Sequence, residues 1–559
     1  MVSAQTENLS LDELRESAKA HHAAKNYPQA YVEYRAILAM DPDLISAWEN
    51  LGRCAIALNR GPEAADIFFQ IAKAQPEKII HRKLLCHALS VSMPGEIKAD
   101  IVSAALEPDN VYHDWVYPHW IAYVRTLNLD VYSFNDALLL RGLALFRCAD
   151  VHFERFAKST RSEFLKQALS DPSALKSSRP FLAALADQCF YSDYVYSVTK
   201  AETQDLETLR ARLTDLNEEQ LLVYACYAPL HSLPFLRHLT PSATFASVYR
   251  DQVINPLREA QIRSSISPRF PLADAVSKEV RAQYEDHPYP RWKLANLPTL
   301  KHDLPKLPQN ILIAGCGTGR QVAHAAQIFP DSQITAIDLS TASLAHAIRQ
   351  GEDLGYNARV TYHQMDLLDL PRLNEKFDHI ICSGVLHHMK DPLAGWASLK
   401  SVATPDAVMK IALYSEIARQ DIVALRNVIA QKGYAPDEEG MRACRDDLMA
   451  APDWDDTSLV GSSVDFYNLS TCRDLLFHVQ EHRFTLPRLE KALEQLDLQF
   501  LGFEFVNPRI PAMYAEKYPA DSYKRDLQNW HAFETANPRI FDGMYQFQAC
   551  LSRIDKQTQ

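Results

Sequence analysis

Ile311-Leu312-Ile313-Ala314-Gly315-Cys316-Gly317-Thr318-Gly319 decides the fold of this chain. Four apolar residues closed by glycine read as a short strand buried on both faces of a parallel sheet. The three glycines turn the backbone sharply into a helix expected over Arg320 to Phe329. They also let a ligand approach the unpaired N–H groups of its first turn. Taken alone, G-x-G-x-G indicates only a nucleotide-like ligand, because dinucleotide dehydrogenases carry a similar turn.

The following elements narrow the ligand. Gln333 to Ile337 reads as a second strand ending in Asp338, where a carboxylate can accept hydrogen bonds from both hydroxyls of a ribose. Arg359 to Gln364 is a third strand, closed by Met365-Asp366-Leu367, and Asp366 is placed to accept from an adenine amino group. Phe377 to Cys382 is a fourth, running into Ser383-Gly384-Val385-Leu386-His387-His388-Met389. A dehydrogenase would show G-x-G-x-x-G and lack the later elements. The histidine pair invites a metal, but adjacent side chains point apart and no third ligand is spaced nearby, so no metal site is expected.

A fifth strand, Val408 to Leu413, ends at Tyr414-Ser415-Glu416, and ligands of open α/β sheets sit at such carboxyl ends. Tyr414 and Glu416 are therefore acceptor-side candidates. Leu498 to Phe505 and Met544 to Leu551 suit a closing antiparallel pair. A helical insertion, 418–497, separates strands five and six. Its stretch Asp437 to Asp456 holds eight acidic residues against Arg442 and Arg445, which reads either as a solvated helix surface or as an acidic rim attracting a cationic acceptor.

Upstream, Tyr284 to Trp292 (YEDHPYPRW) is broken by two prolines and displays aromatic side chains on an extended segment, a plain strap or a lid over the site. From His81 to about Arg269 the pattern is helix after helix, including Phe134 to Arg161 and Pro180 to Val198, with an aromatic stripe through Tyr191, Tyr194 and Val195 that fits one helical face. Residues 11–44 and 45–78 repeat each other at a spacing of 34: Ala30 recurs as Ala64, Tyr34 as Phe68, Ile37 as Ile71 and Pro42 as Pro76. That is the period of the tetratricopeptide helix pair, and Trp48, Leu51 and Gly52 stand at its signature spacing.

Composition sets outer limits. The 559 residues, 47% hydrophobic and 23% charged, belong to a globular multidomain chain. A net charge of -12 without a basic stripe argues against nucleic acid. Ten dispersed cysteines without a C-x-x-C pair, the polar start Met1 to Ser10 and the lack of a long apolar run lead us to expect a cytoplasmic protein with no membrane span.

With these motifs in place, residues 305–420 resemble class I S-adenosylmethionine-dependent methyltransferases. The whole arrangement, with Asp465-Phe466-Tyr467 and Asp474 to His482, resembles bacterial repeat-containing members such as the rickettsial protein-lysine methyltransferases. The resemblance implies repeats at 1–80, a helical middle region at 81–275 that serves dimerisation or substrate presentation, a Rossmann-like α/β core at 276–417, the insertion on the substrate side, and 498–559 completing the sheet. It implies that Gly315, Gly317 and Gly319 border the methionine part of the cofactor, Asp338 the ribose, and Asp366 and Leu367 the adenine. Ala314, Cys316, Gln321, Leu339, Ser383 and Gly384 complete the expected cofactor contacts.

His387 and Tyr414 are the candidate catalytic residues. Tyr289, Trp292, Glu416 and Tyr467 are the candidate acceptor-binding residues, since aromatic faces attract an alkylammonium product. The leading expectation is a protein-lysine N-methyltransferase whose repeats present a protein client, with a homodimer within what the resemblance implies. A methyltransferase of a glycan or small metabolite, and a repeat scaffold with a vestigial cofactor domain, remain open at this point.

Overall fold

The computed structural model describes residues 9–106, 113–213, 217–271, 281, 285, 291–292, 307–452, 454, 458, 460–505, 507 and 509–552. The chain divides into two compact units, one ending at Phe156 and one beginning at Ala157. The sequence-based boundaries at 80 and 275 do not coincide with that division.

The first unit opens with helices α1 (Leu11–Ala23), α2 (Tyr27–Met40), α3 (Ile45–Ala57), α4 (Gly61–Ala74) and α5 (Ile79–Ser90). The positions that repeat in sequence are the ones that fill its core: Ala30, Tyr34, Ile37, Ala64, Phe68 and Ile71 are all buried. Gly52 explains the repeat signature physically, since a Cβ there would stand 2.5 Å from Phe68 Cζ and force the two helices apart. The segment read as one helix from Phe134 to Arg161 is two, Ala137–Leu145 and Val151–Ser170. Phe146 turns extended between them, and the Asp150 carboxylate accepts the Phe153 amide to start the second.

In the second unit a seven-stranded sheet has the order β3-β2-β1-β4-β5-β7-β6. Its strands are β1 (Asn310–Ala314), β2 (Gln333–Asp338), β3 (Val360–Gln364), β4 (Phe377–Ser383), β5 (Ala403–Tyr414), β6 (Leu498–Phe503) and β7 (Met544–Leu551). The first five are parallel, and β7 runs antiparallel to both β5 and β6. Alternation along β1 builds two cores: Leu312 and Ala314 join Ile380, Cys382 and Met409 on one face, while Ile311 and Ile313 join Ile334, Ala336 and Val322 on the other. Strand order reverses between β1 and β4, which opens a crevice at their carboxyl ends.

Three differences from the sequence reading have local causes. β5 begins at Ala403, because Thr404-Pro405-Asp406-Ala407 bulges out of register between the Phe377–Ala403 and His379–Val408 pairs. The helix expected to Val198 is Arg179–Tyr191. Asp193 and Tyr194 take left-handed φ of 52° and 53°, so Tyr194 and Val195 leave the helical face. Two helices, Arg509–Lys517 and Leu527–Ala536, lie between β6 and β7; Tyr514, from the first, stacks on Trp530, from the second, at 3.7 Å.

Helix Asn255–Ser265 fastens the middle region to helix Thr341–Leu354 through Glu259, whose carboxylate accepts from His346 Nδ1 at 2.9 Å and Arg349 Nε at 2.8 Å. Burial opposes its charge, but the bond from His346 and the fields of Arg349 and Arg291 bring Glu259 down to about 2. Burial also lowers His346, so we take that ring as neutral and Arg349 as the principal counter-charge. The stabilisation is complete above the ordinary glutamate range and fades as pH falls from about 4.5 toward 2. Glu259→Gln should therefore cost about 2 kcal/mol at pH 6 and nothing at pH 2.5. Denaturant midpoints of the two proteins at both pH values check this, and equal gaps would refute it.

Candidate functional site

The crevice beside β1 is lined by the glycine turn. Gly315, Gly317 and Gly319 have φ of 70°, 52° and 87°. A Cβ on Gly315 would come within 2.3 Å of Val385 Cγ2, on the loop after β4. The Gly315 and Cys316 amides both donate to Ile337 O at 2.9 Å, pinning the turn to the end of β2. There Asp338 accepts from Gly317 N at 2.8 Å and Ser340 N at 2.9 Å. Part of the Asp338 side chain stays exposed in the crevice, yet burial pushes its carboxyl above the ordinary carboxylate range despite these bonds. Ribose hydroxyls would supply donors to such a carboxylate.

Two further atoms fit a polar ligand: Gln321 Oε1 and Ser383 Oγ are buried without a hydrogen-bond partner. Asp366 is buried and spends one oxygen on Leu368 N at 2.9 Å. Gly384 has φ of 78° and open space where a Cβ would be, and Leu339 is half-buried beside Asp338. Ala314, Cys316 and Leu367 have core side chains, which leaves only their backbones to address a cofactor.

The strap before β1 is partly described. Glu285 accepts from the Thr341 and Ala342 amides at 3.0 and 3.1 Å, which caps the helix that begins just beyond Asp338. Burial would raise Glu285, but those bonds and Arg263 hold it below its ordinary value. Trp292 is not an acceptor-binding ring. It is buried in the core with Ile311 and Val322, and its indole N–H donates to Thr318 O of the glycine turn at 3.0 Å. Tyr289 lies outside the described residues.

The acceptor side is built at the ends of β4 and β5. The Tyr414 ring is stacked on His387 at 3.7 Å and on the Arg419 guanidinium at 3.6 Å, and its hydroxyl donates to Asp474 Oδ2 at 3.3 Å. His387 is buried with neither ring nitrogen hydrogen-bonded; burial, with His388 and Arg419 beside it, holds the ring well below its ordinary value. A cavity of about 130 Å³ opens here, lined among others by Tyr414, Arg419, Asp465, Asp474, Asp542 and Met544. Burial raises the Asp542 carboxyl. The Arg419 charge is met by Glu481, 2% exposed at its side chain, which also binds Arg426 and Arg483 at 3.1 Å.

Two acceptor-side candidates sit elsewhere. Glu416 is turned to Arg483 at 3.1 Å, and Tyr467 is buried against Phe466 and Arg445; neither lines the cavity. The acids between 437 and 456 that are described have structural partners: Asp437 caps its helix, Glu438 pairs with Arg442, and Asp446 pairs with Lys158. The cavity's own acids, Asp465, Asp474 and Asp542, were not singled out by spacing. They lie far apart in sequence and meet only through the fold.

The expectation that the histidine pair lacks a third ligand also changes. Ligand atoms of His388, Asp474 and His478 lie within 4.8 Å of one another. Gln480 sorts the two rings: its carbonyl accepts from His388 Nδ1 at 2.8 Å, and its amide donates to His478 Nδ1 at 3.0 Å. The neutral His388 ring therefore bears its lone pair on Nε2, while that of His478 bears its proton there.

Comparison with known proteins agrees with this architecture. A methyltransferase domain family matches residues 311–406, and a tetratricopeptide repeat family matches 21–85. An uncharacterized protein of Synechococcus sp. is 31% identical over 267 residues, covering 43% of this chain and 63% of that one. The ubiquinone biosynthesis O-methyltransferase of Actinobacillus pleuropneumoniae is 31% identical over 106 residues, 18% of this chain and 44% of that one. The chain spans less than two thirds of the length of either relative. Among solved structures, PKMT2 from Rickettsia typhi in complex with AdoHcy is 17% identical at a TM-score of 0.34, covering 44% of this chain and 49% of that one. The chain thus carries tetratricopeptide repeats and a class I methyltransferase domain.

Proposed function

We propose that this chain is an S-adenosylmethionine-dependent methyltransferase whose acceptor is an amine, foremost a lysine side chain of a protein client engaged by the repeats. The observation that carries the amine is the set of three carboxylates, Asp465, Asp474 and Asp542, lining one cavity with the Tyr414 ring. Carboxylates and an aromatic face attract an ammonium before transfer and its methylated form after it. Glu481 supports this by neutralising Arg419, the cationic member of the lining.

When bound, the cofactor supplies an electrophilic methyl on a sulfonium. The chain's part is to hold and to align. In this reading Asp338 grips the ribose, Asp366 and the Leu367 amide take the adenine edge, and the glycine turn lies along the methionine portion. Tyr414 and the cavity acids bring the acceptor nitrogen in line with the methyl and keep water out. No covalent nucleophile is needed.

Incubating the full chain with methyl-labelled cofactor and a bacterial extract tests the acceptor. Label should enter the protein fraction and, after acid hydrolysis, run with methyl-lysines. Label confined to glycan or small-molecule fractions would overturn the protein-lysine reading and leave the cofactor reading intact.

A further inference from the structure

We propose that Asp474 and His388 form the proton outlet of the acceptor cavity, with Asp474 receiving the acceptor ammonium and His388 Nε2 taking its proton. This deepens the amine reading above and rests on it. Asp474 faces both ways: it lines the cavity, and its Oδ1 stands 3.8 Å from His388 Nε2. Its other oxygen is steadied by the Tyr414 hydroxyl. The Gln480 carbonyl fixes the His388 proton on Nδ1, so a lone pair is turned on a carboxylate. Two electron-pair donors buried face to face gain from a proton placed between them, and less than 1 Å of side-chain movement brings them into hydrogen-bond range.

The surroundings agree. Asp474 sits on a π-helical turn, Arg473–Phe477, a distortion frequent at functional sites, and this turn aims it back at β4. His387, the residue favoured by sequence, is the poorer base, because it faces His388, His478, His482 and Arg419 with no carboxylate in contact. His388 faces Asp474 from the insertion, Tyr414 from β5, and His387 and His478 as neutral rings. His388 works through Asp474 and is a positioning residue in that sense.

The step balances. The acceptor R–NH3+ gives one proton through Asp474 to His388, leaving R–NH2 and an imidazolium beside a carboxylate. The amine lone pair then forms the N–C bond as the C–S bond of the sulfonium breaks, and the imidazolium returns its proton to water as product leaves.

Two measurements test this. In the full chain with S-adenosylhomocysteine, 15N-histidine NMR assigned through His388→Gln should show His388 with hydrogen on Nδ1 and a bare Nε2 at pH 8; an Nε2–H tautomer would overturn the proposal. For label transfer into extract protein, His388→Gln and Asp474→Asn should be about 100-fold slow at pH 7 and should regain most of the wild-type rate near pH 10, where the amine arrives deprotonated. Profiles parallel to wild type at every pH, or stoichiometric zinc in the purified chain that His388→Gln removes, would overturn it. Loss of all label from protein would sink the lysine reading while the NMR arm still decides the tautomer.

Discussion

Asp338→Ala should weaken binding of S-adenosylhomocysteine by at least about 100-fold in titration calorimetry. A carboxylate that accepts two ribose hydroxyls contributes about 3 kcal/mol through charge-assisted bonds, and 1.4 kcal/mol is a factor of ten. The starting state sharpens the expectation: burial already raises the Asp338 carboxyl, and the Gly317 and Ser340 amides do not bring it back to its ordinary value. Alanine at exposed Asp331 makes the same charge change away from the turn and should leave affinity unchanged. Wild-type chain that binds no S-adenosylhomocysteine, or Asp338→Ala that binds as tightly as wild type, would return the domain to a vestigial scaffold.

The largest loss of stability is expected at Gly319. Its φ of 87° costs a side chain about 1–2 kcal/mol. An added Cβ would also stand 2.6 Å from Ala347 Cβ and 2.9 Å from Ala347 Cα, on the backbone of the neighbouring helix. Overpacking of this kind adds about 2 kcal/mol, so Gly319→Ala should lose about 3–4 kcal/mol in the methyltransferase transition. Gly355→Ala isolates the backbone share, because Gly355 has φ of 77° and nothing within 4 Å of a Cβ. Adding Ala347→Gly to Gly319→Ala should recover the steric share; no recovery in that double-mutant cycle would refute the clash.

How far the sequence was legible follows from how local each signal is. The strands announced themselves because a strand buried on both faces must be a short apolar run, and the glycines and Asp338 sit where those runs end. β7 was found from its own pattern as well. Helix ends in the middle region were not legible: Tyr191 and Ser192 give carbonyls to Asn468 and Leu469, and Tyr194 and Val195 to Arg442 and Arg445, partners some 250 residues away that no local window contains. Trp292 misled for a related reason. An aromatic residue in a proline-rich strap looks displayed until its indole is seen bonded to Thr318. The acceptor cavity was the least legible, since Asp465, Asp474 and Asp542 converge only when the insertion and the β7 approach fold onto β5.

The antiparallel entry of β7 between β5 and β6 has a consequence for how such a protein diversifies. The chain leaves the sheet at the carboxyl end of β5 and rejoins it at β6, so every residue from 415 to 497 can be lengthened, replaced or borrowed without moving a single strand register. The ribose and glycine contacts lie on the other half of the sheet, on β1 and β2. Recombination can therefore exchange the client-facing module as a cassette, and natural variation in acceptor choice should concentrate in that window while the turn at 315–319 stays fixed.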